Sequence, residues 1–232
     1  MDYLGESFGK AVELLAALDK DVVSAVRVSL LVSVNATLLA ALAGVPAGFL
    51  LGSGTFRGKN AVAAILQTLT AAPTVVVGLF CYSLLTAHGP LGSLRLLYTP
   101  HAITFGLFFL ILPLVTALAM SATQSIHSGI RETALTLGAS QLQAAAAVLR
   151  DGRFAYLTAV TMAFGRAIGE VGVAMMLGGN IRGFTRTMTT TLALQTDKGE
   201  FALALALGMI LLAIAFCINS LMHFLKSRAE RV

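Results

Sequence analysis

The chain has 232 residues, 57% of them hydrophobic and only 12% charged, about half the charged fraction of roughly 25% that a water-soluble domain carries. Its net charge of +5 is not gathered on one polar face. The basic residues stand at the ends of apolar runs, as topogenic charges do, which excludes nucleic acid as the natural partner and points to an all-α integral membrane protein.

Residues 1–21 are amphipathic: Leu4, Phe8, Ala11, Leu15 and Leu18 recur at spacings of four, three, four and three, the stripe of a helix. It lies at the membrane interface or docks as a cover over neighbouring spans. Asp2, Glu6, Glu13, Asp19 and Asp21 against Lys10 and Lys20 do not fit a secretory signal, which needs a basic start and a short apolar run. The first span is expected to serve as its own insertion signal.

A hydrocarbon core about 30 Å thick needs about 20 apolar residues in a helix, and five runs in residues 22–228, a single transmembrane domain, meet that length. The first, 28–51, falls between Arg27 and Arg57 with no charge between them. Gly44, Gly48 and Gly52 share one face of it, a stripe that lets helices approach closely. After it, Ser53-Gly54-Thr55-Phe56-Arg57-Gly58-Lys59-Asn60 has the outline of a phosphate-binding loop. Ser53 replaces the first Gly, Asn60 replaces the magnesium-holding Ser or Thr, and no strand precedes it, so ATP is not expected to bind here.

The second and third runs are 61–86 and 101–123. The linker 127–153 is too polar to span and too apolar for a solvated loop; within it, 130–150 reads IRETALTLGASQLQAAAAVLR. Something should cover its apolar side, and Gly138 permits a turn between two short helices. The fourth run, 154–177, contains Arg166 and Glu170. A charge at mid-bilayer costs about 2.5–3.5 kcal/mol on insertion scales, so the two need a reason. At i, i+4 they can pair, either as a structural ion pair that fixes helix rotation or as part of a transport path. The fifth run is 201–225. Cys81 and Cys217 read as buried free thiols with no CxxC partner. His88, His101, His127 and His223 sit at different span ends and form no metal pattern, and no catalytic set appears.

Five spans place the termini on opposite sides. Lys226, Arg228 and Arg231 after the last span favour a cytoplasmic C-terminus, although eight basic residues inside against seven outside leave the orientation open on charge alone.

The linker resembles the EAA loop of binding-protein-dependent ABC permeases. It carries Glu132-Thr133-Ala134, then Gly138 after three residues and Val148 after nine more. Thr133 stands for the middle Ala, Val148 for Ile, and Arg150-Asp151 for the usual Leu-Pro. The fourth run resembles the molybdate/tungstate/sulfate permeases in Arg166-Ala167-Ile168-Gly169-Glu170 and Gly179-Asn180-Ile181, as does Pro73-Thr74-Val75 with Gly78 in the second. The stretch from Thr187 to Phe201 looks most like the tungstate branch, with molybdate and sulfate as alternatives.

The resemblance implies that Glu132, Thr133, Ala134 and Gly138 couple to a separate ATPase and that the loop is cytoplasmic, with the N-terminus out and the C-terminus in. It further implies that Pro73, Thr74, Arg166, Gly169, Glu170 and Asn180 line the path or its gate. Arg182, Arg186 and Lys198 then fall outside, where they contact a binding protein, steer the anion, or merely anchor at the interface. The chain itself is expected to be a pore and not an enzyme, in the cell membrane of a prokaryote, with no cofactor of its own. ATP and magnesium belong to two ATPase subunits. An extracytoplasmic oxyanion-binding protein and a second copy of this chain complete the set, because five helices are few to enclose a path. A secondary transporter would show internal repeats, and none is visible.

Overall fold

The computed structural model describes residues 19–229, together with 9, 12, 13 and 17. The amphipathic stripe from Leu4 to Leu18 lies outside the described residues. Nine α-helices follow among the described residues: α1 Lys20–Ser53, α2 Lys59–Thr70, α3 Thr74–Leu85, α4 Pro100–Thr136, α5 Gln141–Asp151, α6 Arg153–Ile168, α7 Gly172–Gly178, α8 Met188–Asp197 and α9 Phe201–Ala229.

Asp19 starts α1 by accepting from the amides of Asp21 and Val22, which satisfies two of the orphan donors of a helix start. The glycine stripe then does what its spacing predicts. A Cβ on Gly48 would lie 2.6 Å from both Ala119 Cβ and the Thr116 carbonyl oxygen, and one on Gly52 would lie 2.6 Å from Thr123 Cβ. Gly44 meets Val115, Gly48 meets Ala119 and Gly52 meets Thr123 in rising order, so α1 and α4 run parallel, backbone against side chain. Lys59 closes the Ser53 end of α1, donating to the carbonyls of Gly52 at 2.6 Å and Gly54 at 2.8 Å. The lysine of the P-loop-like sequence is therefore engaged as a helix C-cap.

Parallel helices need a return crossing between them, and α2 with α3 supplies it. The 61–86 run is not one straight helix: α2 and α3 meet at 94°. Pro73 is the physical reason, since it lacks an amide hydrogen and pushes the preceding residue out of the helical region. The 154–177 run is broken likewise, with 60° between α6 and α7. Among the described residues three helices are long and apolar enough to cross a membrane by themselves, Lys20–Ser53, Pro100–Ile126 and Phe201–Ile218, or up to five spans if each bent pair counts as one.

Helix α4 packs on α1, α2, α3, α5, α6 and α7 and is the axis of the bundle. Its 37 residues extend over about 55 Å, well beyond a hydrocarbon core. The 127–153 linker is consequently not two short helices. Its first part continues α4 to Thr136, and only α5 is a separate short helix. The larger core joins Val32 and Ala36 of α1, Cys81 of α3, Ile103 and Ile111 of α4, and Val173 of α7. A second cluster joins Val22, Phe164, Ile168, Met188 and Leu207, tying α8 and α9 to the Lys20 end. Cys81 is buried as expected, but Cys217 is exposed, because α9 lies at the periphery and turns that face away from the bundle.

Candidate functional site

The break between α6 and α7 carries most of the polar chemistry buried in the bundle. Helix α6 ends at Ile168 and Gly169 caps it, so Glu170 starts a new course instead of continuing the face of Arg166. The expected Arg166–Glu170 ion pair does not form. Among the described residues the ion pair is between Arg182 and Asp21. Glu170 is buried and its Oε1 accepts from the amide of Val173 at 3.3 Å, while its backbone carbonyl accepts from Thr189 Oγ1 at 2.8 Å. Arg166 is half-buried, with a buried Nε that has no hydrogen-bond partner. Gly165 and Gly169 beside it are exposed, which leaves that face of α6 open.

Hydroxyls surround the break. Thr187, Thr189, Thr190 and Thr191 are all buried, and Thr187 caps α8 through a reciprocal box with Thr190. The amide of Met188 donates to Ser29 Oγ at 2.8 Å, bringing α8 to α1. Ser29, Ser33, Glu170, Thr187 and Thr189 share the wall of a void of ≈ 10 Å³, room for at most one water. Ser29 and Ser33 stand nine and thirteen residues beyond Lys20, about 14 and 20 Å into the bundle.

Pro73 and Thr74 reach the same place. A Cβ on Gly172 would lie 2.8 Å from Thr74 Oγ1 and 3.3 Å from Glu170 Oε1, so glycine at 172 lets the start of α3 approach the break. Gly78 extends that contact, with Met176 Sδ 2.9 Å from where its Cβ would be. The two bent pairs thus meet at their kinks, and Pro73, Thr74, Gly169 and Glu170 converge there. Asn180 does not join them.

Asn180 belongs to the loop after α7 at the Lys20 end. Gly179 and Asn180 both have positive φ, 66° and 51°, and the Tyr98 ring lies 2.8 Å from where a Gly179 Cβ would be. Arg186 Nε donates to Asn180 Oδ1 at 3.2 Å. Arg182 makes a two-pronged pair with Asp21 at 2.8 and 2.6 Å, and that hydrogen bond pushes its guanidinium above the ordinary value. Arg182 and Arg186 are therefore both engaged. Lys198 follows α8 and is exposed, away from that loop in sequence.

At the opposite end, α4 ends at Thr136, and Gly138 turns the chain with φ +87°. Glu132 and Thr133 are exposed on the last turns of α4 and Ala134 is half-buried. Ser140 and Gln143 form a capping box at the start of α5, and Arg131 Nη2 donates to Gln141 Oε1 at 2.6 Å across the turn. Leu137 and Leu142 flank this turn at 82% and 84% exposure, the two most exposed large apolar side chains described. Thr133, Ala134 and Leu137 also line an open groove of ≈ 660 Å³. Val148 is fully buried and the base of α6 is tied to α4 by Tyr156 Oη and Thr123 Oγ1 at 2.9 Å. Gly152, where α5 gives way to α6, makes the break without a proline.

Residues 44–231 match the family model described as the inner membrane component of binding-protein-dependent transport systems. The chain belongs to that family. It is 41% identical over 97% of its length to the tungstate uptake system permease protein TupB of Campylobacter jejuni, covering 95% of that protein. It is 38% identical, over 97% of its length and 99% of the relative's, to TupB of Peptoclostridium acidaminophilum. The molybdenum transport system permease protein ModB of Azotobacter vinelandii is 29% identical over 87% of this chain and 94% of its own.

The EAA-like residues Glu132, Thr133, Ala134 and Gly138 thus stand at the end of the bundle opposite Lys20, on the last turns of α4 and the turn that follows it. Sequence reading missed Asp21, Ser29, Tyr156, Leu137 and Leu142. The capping signature Ser140-x-x-Gln143 was visible and marks the start of α5. The partners of Asp21 and Ser29 lie 161 and 159 residues away, and no local pattern announces them.

Proposed function

We propose that this chain is the translocation subunit of an ATP-driven importer for a tetrahedral oxyanion, tungstate, with five spans, the N-terminus outside and the C-terminus inside. The observation that carries the reading is the α4–α5 tip. It presents Leu137 and Leu142 bare beyond a helix longer than the hydrocarbon core, on a chain alike in nearly full length to two tungstate permeases. Two copies of the chain enclose the path, since the bent pairs α2–α3 and α6–α7 leave exposed apolar faces, Val75, Val76, Leu79 and Met162 among them. A separate ATPase takes Leu137 and Leu142 into an apolar cleft, and Glu132, Thr133, Ala134 and Gly138 set the angle of the tip. ATP and magnesium are bound there and not on this chain.

Arg166 supports the path role better than a pairing role. Its Nε has no partner in the protein, and a guanidinium matches two oxygens of an oxyanion. Arg182, Arg186 and Lys198 lie on the outer side, where a binding protein delivers the anion. The test is uptake in proteoliposomes holding the chain with its ATPase. Leu137→Glu with Leu142→Glu should abolish ATP-dependent uptake and ATPase co-purification while leaving insertion and thermal stability unchanged. Retention of both would remove the tip from the coupling path.

A further inference from the structure

Apart from the break and the tip, a groove of ≈ 440 Å³ opens at the Lys20 end between α1, the start of α4 at Pro100 and the loop at Gly183–Phe184. Lys20, Ser24 and Arg27 line it at spacings of four and three, which place them on one face of α1. Val28, Leu31 and Phe184 form its apolar wall. Lys20 and Arg27 are exposed.

Among the described residues no acid forms an ion pair with Lys20 or Arg27. Asp19 accepts from the amides of Asp21 and Val22, and Asp21 is held by Arg182. Arg27 immediately precedes the charge-free stretch 28–56, which places it at the boundary between hydrocarbon and headgroups. Lys20 stands seven residues farther out, about 10 Å along the axis. A cation at headgroup depth attracts an anionic headgroup by about 1 kcal/mol, and the apolar wall beside it matches an acyl chain.

We propose that this groove binds an anionic phospholipid of the surrounding bilayer, its phosphate between Arg27 and Lys20 and an acyl chain along Val28, Leu31 and Phe184. Two observations set the occupant: charge complementarity at phosphate depth, and an apolar wall directly below the cations. Ser24 between them donates to a phosphate or glycerol oxygen. Simple snorkelling of two side chains needs neither the shared face nor the wall contributed by Phe184 from a distant loop. A bound lipid would link α1, α4 and the loop after α7, adding α4 to the two elements that Asp21–Arg182 ties together.

The experiment uses the full-length chain in nanodiscs of equimolar phosphatidylglycerol and phosphatidylcholine, with spin-labelled versions of each lipid reporting the immobilised fraction. Wild type should hold the phosphatidylglycerol label preferentially. Lys20→Gln with Arg27→Gln should lower that preference by about fivefold per cation removed. Lys20→Arg with Arg27→Lys should keep it, and Phe184→Ala should weaken retention of both lipids alike. Arg95→Gln, an exposed residue outside the groove, should leave the preference unchanged. Both target side chains are exposed, so the variants should insert; either single glutamine variant carries the same test with half the effect. An unchanged preference in the double glutamine variant would overturn the proposal. So would displacement of the label by inorganic tungstate or phosphate at constant ionic strength, which would make the groove a free-anion site instead.

Discussion

Arg166 and Glu170 are four residues apart in sequence, yet the helix ends between them, and this separates two roles that sequence spacing had merged. Glu170 is held by the Val173 amide and the Thr189 hydroxyl and belongs to the architecture of the break. Arg166 has an unanswered buried Nε and an open face beside it. Because no ion pair joins them, Arg166→Gln and Glu170→Gln should lack the coupling of several kcal/mol that a buried ion pair gives, read as thermal unfolding in detergent. Arg166→Gln should lower tungstate uptake roughly tenfold or more, the scale of one lost charge-assisted contact. A coupling energy of several kcal/mol would restore the ion pair and contradict the separation of the two roles. Asp21→Asn is a milder change. The pair it breaks is mostly solvent-exposed, 70% on the Arg182 side and 31% on the Asp21 side, so unfolding should shift by no more than about 1 kcal/mol, and less as salt rises.

At the scale of elements, glycines do two different jobs that substitution should separate. Gly48 is a packing residue in a regular helix, and Gly48→Val would drive its side chain into Ala119 and the backbone at Thr116 and Met120. That overpacking should cost about 1–3 kcal/mol and lower the unfolding temperature of the purified protein. Gly138 meets nothing within 4 Å, and its demand is only for a φ of +87°. Gly138→Val should therefore be accommodated by rearrangement of the exposed turn away from φ +87°, which misdirects the tip and leaves the core packing as it is. The measurement is co-purification of the ATPase beside thermal unfolding, with the first expected to fail and the second to survive.

Seen whole, the molecule was legible in sequence where its physics is local. The apolar runs, the α1 glycine stripe and the turn at Gly138 all depend on composition or on spacing within one helix. Pro73 enters the sequence analysis only as a motif residue, and a run of apolar residues says nothing about a 94° bend, so 61–86 reads as one span. Gly169 was read as part of a motif and not as a helix stop. Its neighbours Ile168 and Glu170 both fit a continuing helix, and only the packing of Thr189 and Thr74 onto the break decides otherwise. The extension of α4 into the linker was missed for a similar reason: its end is set by burial of α5 against α4, which no window of local polarity reports. The site was half legible. The motif residues at the α2–α3 and α6–α7 kinks converge, whereas Thr189 of α8 and Ser29 reach the site through contacts across the chain.

The most direct test of the central claim is tungsten accumulation in proteoliposomes that contain the chain and its ATPase, with the oxyanion-binding protein outside and ATP inside. The account predicts accumulation that requires both ATP and this chain, that molybdate and sulfate inhibit more weakly than tungstate, and that vanishes in Leu137→Glu with Leu142→Glu. Accumulation driven by an ion gradient without ATP, or equal in vesicles lacking the ATPase, would contradict it.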